Sequence, residues 1–351
     1  MRKYLIVFAL WVTLGLTVKV SGSSKGITSL NEWERNREVD RKVYKIADEL
    51  EWICKKNRND YEAVMWSPTA VKLIFELDKM IEEHGEVALA PIYDIAKDKG
   101  RSILLRILME DRLGFSKNTK GVKAVISFLI DKSEDERMRI NAADLLGRIK
   151  DTLAVPYLIQ VMKDKTNPER VRWEAAHAFV FIPDKRAIKP LLDNIQSDPS
   201  VDVKRISISA LGMIGKKTGD RSMVEVLLEI VKKDEGVLQY HAISALGAMR
   251  ERRVLPLLIE RVEQNKRRNL DVVIWALGNI GGSEAKRALV KLLNDEDEIV
   301  RFDAAKALIK MGDKSVIPEI EKVLPKFKSD GFKKIIQDSL KALKKGKEQR
   351  R

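Results

Sequence analysis

Cysteine occurs once in the 351 residues, as Cys54, so no intramolecular disulfide can staple the fold. Its helical surroundings, EWICKK, mark it as a half-buried core residue. Histidine occurs three times, as His84, His177 and His241, too few and too scattered for a metal cage. No Gly-rich phosphate loop, nucleophile elbow or zinc-type spacing is present. These absences give catalysis little footing and lead us to expect no metal, no cofactor and no enzyme activity. Beyond the first residues there is no apolar run long enough to span a membrane.

A strongly basic body is also missing. The net charge is +14, but residues 1–22 carry Arg2, Lys3 and Lys19 with no acid, and 326–351 carry ten Lys/Arg against Asp330, Asp338 and Glu348. That leaves +4 over 23–325, which does not describe a cationic groove for nucleic acid. The basic tail 326–351 is a possible contact for an anionic membrane or cell-wall polymer. At the other end, Arg2 and Lys3 precede an apolar run from Tyr4 to Val18, followed by the small residues of Val20-Ser21-Gly22. The run is shorter than the roughly 20 residues a spanning helix needs. Residues 1–22 therefore read as a signal peptide, with a retained anchor as the other reading. The mature protein is expected to be exported, to the periplasm or the cell exterior.

What the chain does have is repetition. NAADLLGRI (141–149), EAAHAFVFI (174–182), ISISALGMI (206–214), HAISALGAM (241–249), VVIWALGNI (272–280) and DAAKALIKM (303–311) are six copies of one block, 31 to 35 residues apart. Within a copy the apolar residues keep helical spacing, as in Val171, Ala175, Ala178, Phe179 and Ile182. Between copies lies a second apolar helix, with Pro156, Pro256 or Pro318 near its start, where a missing N–H costs least. Such a unit cannot bury its apolar face alone and stacks on its neighbours.

The Pro-x-Leu helix, the acidic turn, Val-Arg and Ala-Ala-x-Ala-Leu-Gly-x-Ile together resemble HEAT repeats, in particular the short variety of phycobilin lyase-like proteins. The resemblance implies an all-α, right-handed α-solenoid, a superhelix of short HEAT-like helix pairs with capping helices. It also implies a polar ladder along the stack, pairing Asp131 with Arg139, Asp164 with Arg172, and Asp295 with Arg301. Asp198 meets only Lys204, and Gln239 and Leu270 replace the arginine, so the ladder is expected to break between 235 and 275. The domain reading is a signal peptide over 1–22, an N-terminal helical cap over 23–115, the solenoid over 116–328, and a capping helix with its basic tail over 329–351. In the first cap, Ser67-Pro68 opens a helix that Gly85 closes, another runs Arg101–Gly114, and most of the aromatics there, which include Trp33, Trp52 and Trp66, are expected in the core. In the second, Ile335, Ile336, Leu340 and Leu343 should face the last repeat.

In HEAT solenoids the second helix of each pair lines the concave surface. Counting from Val171 and its equivalents as zero, position 2 reads Ile140, Trp173, Arg205, Tyr240, Asp271 and Phe302, and position 6 reads Asp144, His177, Ser209, Ser244, Trp275 and Lys306. Several aromatics at solvent-facing positions favour recognition, although packing against the adjoining helix would also account for them. The expectation is a non-catalytic scaffold holding a protein partner through Trp173, His177, Arg205, Tyr240, Trp275 and Phe302. Position 9 is Gly147, Gly212, Gly247 and Gly278, suited to close helix packing. The alternative is a lyase-like or other small-ligand enzyme on the same solenoid. The paired His-Glu steps of the deoxyhypusine hydroxylases, another branch of the short HEAT family, are not present.

Overall fold

Every copy of the block folds as the second helix of an antiparallel pair, because its apolar stripe recurs at helical spacing. The structure, a computed structural model, describes residues 35–233 and 236–346. The expected signal peptide, Trp33 and the last residues of the basic tail lie outside the described residues. In chain order the helices are α1 (Arg37–Lys56), α2 (Tyr61–Met65), α3 (Pro68–His84), α4 (Glu86–Lys97), α5 (Ile103–Phe115), α6 (Thr119–Ile130) and α7 (Glu136–Ile149). They continue as α8 (Val155–Lys163), α9 (Glu169–Phe181), α10 (Ile188–Ser197), α11 (Val201–Thr218), α12 (Val224–Lys233) and α13 (Val237–Ala248). The series closes with α14 (Leu255–Glu263), α15 (Leu270–Ile280), α16 (Gly282–Leu292), α17 (Glu298–Lys310), α18 (Ile317–Val323) and α19 (Asp330–Lys344). No strand occurs among the described residues. The fold is an all-α solenoid.

The blocks are α7, α9, α11, α13, α15 and α17, and they stack in one row. The glycines at position 9 set the spacing of that row. A Cβ on Gly212 would lie 2.7 Å from Ala245 Cβ, one on Gly247 2.8 Å from Ala276 Cβ, and one on Gly278 2.9 Å from Ala307 Cβ. Each glycine thus receives the position-7 alanine of the next block, leaving no room for a side chain.

Side-chain caps close the N-termini of three of the six block helices, whereas α9, α13 and α15 start at Pro168, Gly236 and Asn269 without one. Asp135, Ser200 and Asp297 accept from backbone N–H groups of the first turns of α7, α11 and α17. Asp151, Asp184, Glu251 and Asp313 each open a short 3-10 turn ahead of the outer helix. Pro156, Pro256 and Pro318 follow within the first two helical positions, as the repeat pattern led us to expect.

The polar ladder exists, with different pairs. Asp131, Asp164 and Asp295 each accept from the N–H two residues on and so close their own turns. Each arginine reaches past its own turn to the next pair. Arg139 donates to Leu129 O at 3.0 Å and to Asn167 Oδ1 at 2.6 Å. Arg172 grips Asp198 through Nε and Nη2 at 3.1 and 3.0 Å, while Asp164 takes Lys132. Arg301 donates to Asp295 O, Glu296 O and Lys326 O, and the Asp295 carboxylate takes Arg267. The expected pairings Asp131–Arg139 and Asp164–Arg172 are therefore corrected, and Arg301 meets Asp295 through its backbone carbonyl rather than its carboxylate. A long guanidinium with a planar fork can span two loops at once and so reaches the next pair, while Asp164 and Asp295 close their own turns and pair with Lys132 and Arg267.

The expected break between 235 and 275 is bridged by neutral groups. Gln239 donates to Val231 O and accepts from Asn269 Nδ2 at 3.1 Å. The same rung appears one pair before the first block, where Arg106 joins Ala96 O to Glu134.

The ends depart from expectation more. α3 is capped by Ser67 and closed by Gly85 at φ 55, as read from the sequence. Gly114, however, lies inside α5, where a Cβ would meet Leu145 at 2.6 Å. It is a packing glycine, not a cap. Trp52 and Trp66 are 62% and 75% exposed rather than in the core, because Val43, Leu50 and Leu77 already fill it. Cys54 is fully buried, deeper than the half-buried position expected, and burial, then the Glu51 charge, pushes its thiol up to about 11. On α19, Ile336 and Leu340 are buried but Ile335 is exposed.

Candidate functional site

Position 2 and position 6 of a helix differ by one turn, so α9 offers Trp173 and His177 side by side. Their ring centroids are 4.8 Å apart, and His177 meets Phe181 edge-on at 5.1 Å. The Arg170 guanidinium lies 4.4 Å from the Trp173 ring and that of Arg205, on the next block, 6.0 Å. Arg205 is itself held by Asp202. Trp173, Arg170, Arg205 and Asp202 border a cleft of about 270 Å³, which Glu136 and Glu169 also line. Trp173 is half-buried, and its Nε1–H has no hydrogen-bond partner.

The remaining candidates are spread along the row. Tyr240 is half-buried beside His241, whose Nδ1 lies 3.0 Å from Ser209 Oγ. Burial and the nearby Arg205 charge lower the His241 pKa, while burial and the Asp271 carboxylate raise that of Tyr240. Trp275 is 42% exposed, leans over Gly247 and lies 6.0 Å from the Lys310 ammonium. Trp173, Arg205, Tyr240 and Trp275 thus occupy successive blocks of one face.

Phe302 does not belong with them. It is 8% exposed and stacks on Phe332 of α19, with centroids 4.2 Å apart. The position is solvent-facing in the repeat pattern, but here the neighbour is the closing helix rather than another block, and that helix brings an aromatic onto it. Phe302 is core.

Two features escaped the sequence reading. A larger hollow of about 770 Å³ lies at the N-terminal end, lined by Arg41, Tyr44, Lys45, Asp48, Glu49, Trp52, Ile53 and Thr69. It is far along the stack from the candidate row. More telling for chemistry, His177 is not isolated. Glu174 on its own helix and Asp144 on the preceding block bring ligand-type atoms within 4.8 Å of one another. The carboxylates come from two blocks, one 33 residues before His177, so only the stacking distance of the fold could reveal the group. No helix among the described residues is long and apolar enough to cross a membrane.

The family of HEAT repeats matches residues 122–212, 188–271 and 267–341. No curated protein matches the sequence. Among solved structures, the complex of CpcE and CpcF of phycocyanin lyase from Nostoc sp. PCC7120 is similar at 20% identity, over 73% of this chain and 94% of that one, with a TM-score of 0.41. Human deoxyhypusine hydroxylase in complex with glycerol is similar at 18% identity, over 78% and 97%, with a TM-score of 0.35. Kap121p bound to Pho4p is similar at 14% identity, over 88% of this chain and 41% of that one, with a TM-score of 0.49. At such identities the likeness is one of fold.

Proposed function

The chain belongs to the HEAT-repeat family, and on that footing we propose that it is a non-catalytic scaffold whose block-helix row holds a protein partner. One observation carries the reading: Trp173, Arg205, Tyr240 and Trp275 lie on one face at one residue per block, and Trp275 is 42% exposed although a large aromatic gains nothing from water. Neighbouring helices stand roughly 10 Å apart, so this spacing suits an extended segment or a partner helix. The guanidiniums of Arg170 and Arg205 beside the Trp173 ring add polar contacts at its rim.

Truncation of a buried aromatic anchor costs an interface about 2 kcal/mol or more, close to a thirty-fold loss of affinity. Trp275→Ala should therefore lose the native partner by at least that factor while the melting temperature stays within about 2 °C of wild type. Trp173→Ala should lose affinity as well, with a larger drop in stability, since its ring also holds His177. Native-partner affinity unchanged in both variants would sink the proposal.

We further infer export, supported by the order of charged, apolar and small residues over 1–22. An N-terminus near Ser23 in the natural protein is the expected result, and an intact Met1 the contrary one. The enzyme reading stands against the scaffold and predicts absorbance above 300 nm from a bound chromophore in the purified protein.

A further inference from the structure

We propose that Asp144, Glu174 and His177 form a binding site for one divalent transition-metal ion of the zinc or manganese class. The proposal stands whether or not the block row also holds a protein.

The site is assembled by two geometric rules. Glu174 and His177 are three residues apart on α9 and so share a face. Asp144 takes position 6 of α7, one stacking step away, where the close packing of Gly147 against Ala178 draws the two helices together. One ligand-type atom from each of the three lies within 4.8 Å of the others. A point no more than about 2.8 Å from all three therefore exists, about 0.6–0.8 Å beyond the roughly 2.0–2.2 Å of zinc to nitrogen or carboxylate oxygen. Closing that difference requires the half-exposed Asp144 side chain to rotate towards the other two. His177 Nδ1 and Glu174 Oε1 are hydrogen-bonded at 2.9 Å, close enough together to become adjacent ligands on one ion.

The group is also held in place. The imidazole is fixed between Trp173 and Phe181. Glu174 is 5% exposed, and its Oε2 lies 3.6 Å from Arg170. Asp144 Oδ2 lies 3.3 Å from Arg148. Each arginine contacts one oxygen of its carboxylate, as outer partners that orient ligands do, and a bound ion would take the place of the hydrogen that Glu174 Oε1 and His177 Nδ1 share. Two guanidiniums so close weaken the attraction for a dication, so the affinity expected is micromolar rather than picomolar.

One imidazole with two carboxylates suits zinc, manganese or iron better than calcium or copper(I). Three protein ligands leave at least one coordination position for water or for a carboxylate or imidazole of a molecule lying on the row.

Chelator-treated full-length protein titrated with zinc chloride or manganese chloride alone, in competition with a chromophoric chelator, tests the site. One equivalent should bind, and Asp144→Asn and His177→Ala should each weaken it at least thirty-fold. His241→Ala, on a neighbouring face of the row, should bind as wild type does. Equal zinc affinity in wild type and His177→Ala, or no saturable binding at all, overturns the proposal. Independently of any variant, zinc should protect His177 of the wild-type chain from diethyl pyrocarbonate, read by mass spectrometry of its peptide. Equal modification with and without zinc also overturns it. Trp275→Ala should keep wild-type zinc affinity whatever it does to partner capture, so the metal site and the protein-binding face fail separately.

Discussion

Glu110 is the residue at which the fold carries a cost. Its carboxyl is fully buried on α5, Oε2 accepts from Asn141 at 2.9 Å, and Oε1 has no hydrogen-bond partner. Burial, countered only in part by the Asn141 hydrogen bond, raises its pKa well above the usual carboxylate range. The sign follows from proton binding. Between the unfolded value near about 4.3 and the raised folded value, the native chain holds more protons, so stability falls as pH rises through that window. Gln at this position does not titrate. Glu110→Gln should therefore be more stable than wild type at pH 7, and its advantage should shrink as pH falls towards about 4.3. Urea melts at several pH values measure this. A stability difference that does not change with pH would show that Glu110 is not the group responsible.

Helices and the rungs between them form the next scale. Arg172 is 5% exposed and Asp198 1% exposed, joined by two charge-assisted bonds across consecutive pairs. Removing one member of a buried pair typically costs about 3–5 kcal/mol, whereas removing both costs less. Arg172→Met and Asp198→Asn should each destabilise by that order, and the double variant should fall well short of the sum in a double-mutant cycle. Simple additivity would mean that the rung is not a coupled unit. Asp198 supplies a pH dependence too. Burial would raise its pKa, but hydrogen bonds from Arg172, Lys165 and Ser200 outweigh this and hold it below the ordinary range. Its contribution is thus complete above about pH 3.9 and lost in acid. The helix pairs, the prolines and the Gly–Ala contacts were legible because each is a local pattern repeated in phase. The ladder partners were not, since a rung joins residues 26 or 28 apart through loops whose geometry the sequence leaves open. For the candidate face, Trp173, Arg205, Tyr240 and Trp275 were readable from register alone. Phe302 and the Asp144–Glu174–His177 group were not, because both depend on what the adjacent helix places opposite.

Across the whole stack each pair rests chiefly on its neighbours, so stability is close to a sum of unit and junction terms. The last junction includes the Phe302–Phe332 stack, the buried Ile336 and Leu340, the Glu298 carboxylate accepting from Ser329 N–H, and polar contacts of Lys344 with Glu321 and Lys314. The outer side of α19 is lysine-rich, as a terminal cap facing water requires. Phe302→Ala removes one half of that stack, and a Phe-to-Ala change in a core costs about 3–5 kcal/mol. In a nearest-neighbour array the loss should be local. Hydrogen exchange should accelerate at least a hundred-fold in 298–344 while 119–218 keeps its wild-type protection. Acceleration spread evenly over all pairs would instead mean that the array melts as one cooperative unit. The same variant separates core from interface: if Phe302 were part of the binding face, Phe302→Ala would lower partner affinity without exposing α19, whereas its place under Phe332 requires the exchange of α19 to rise first.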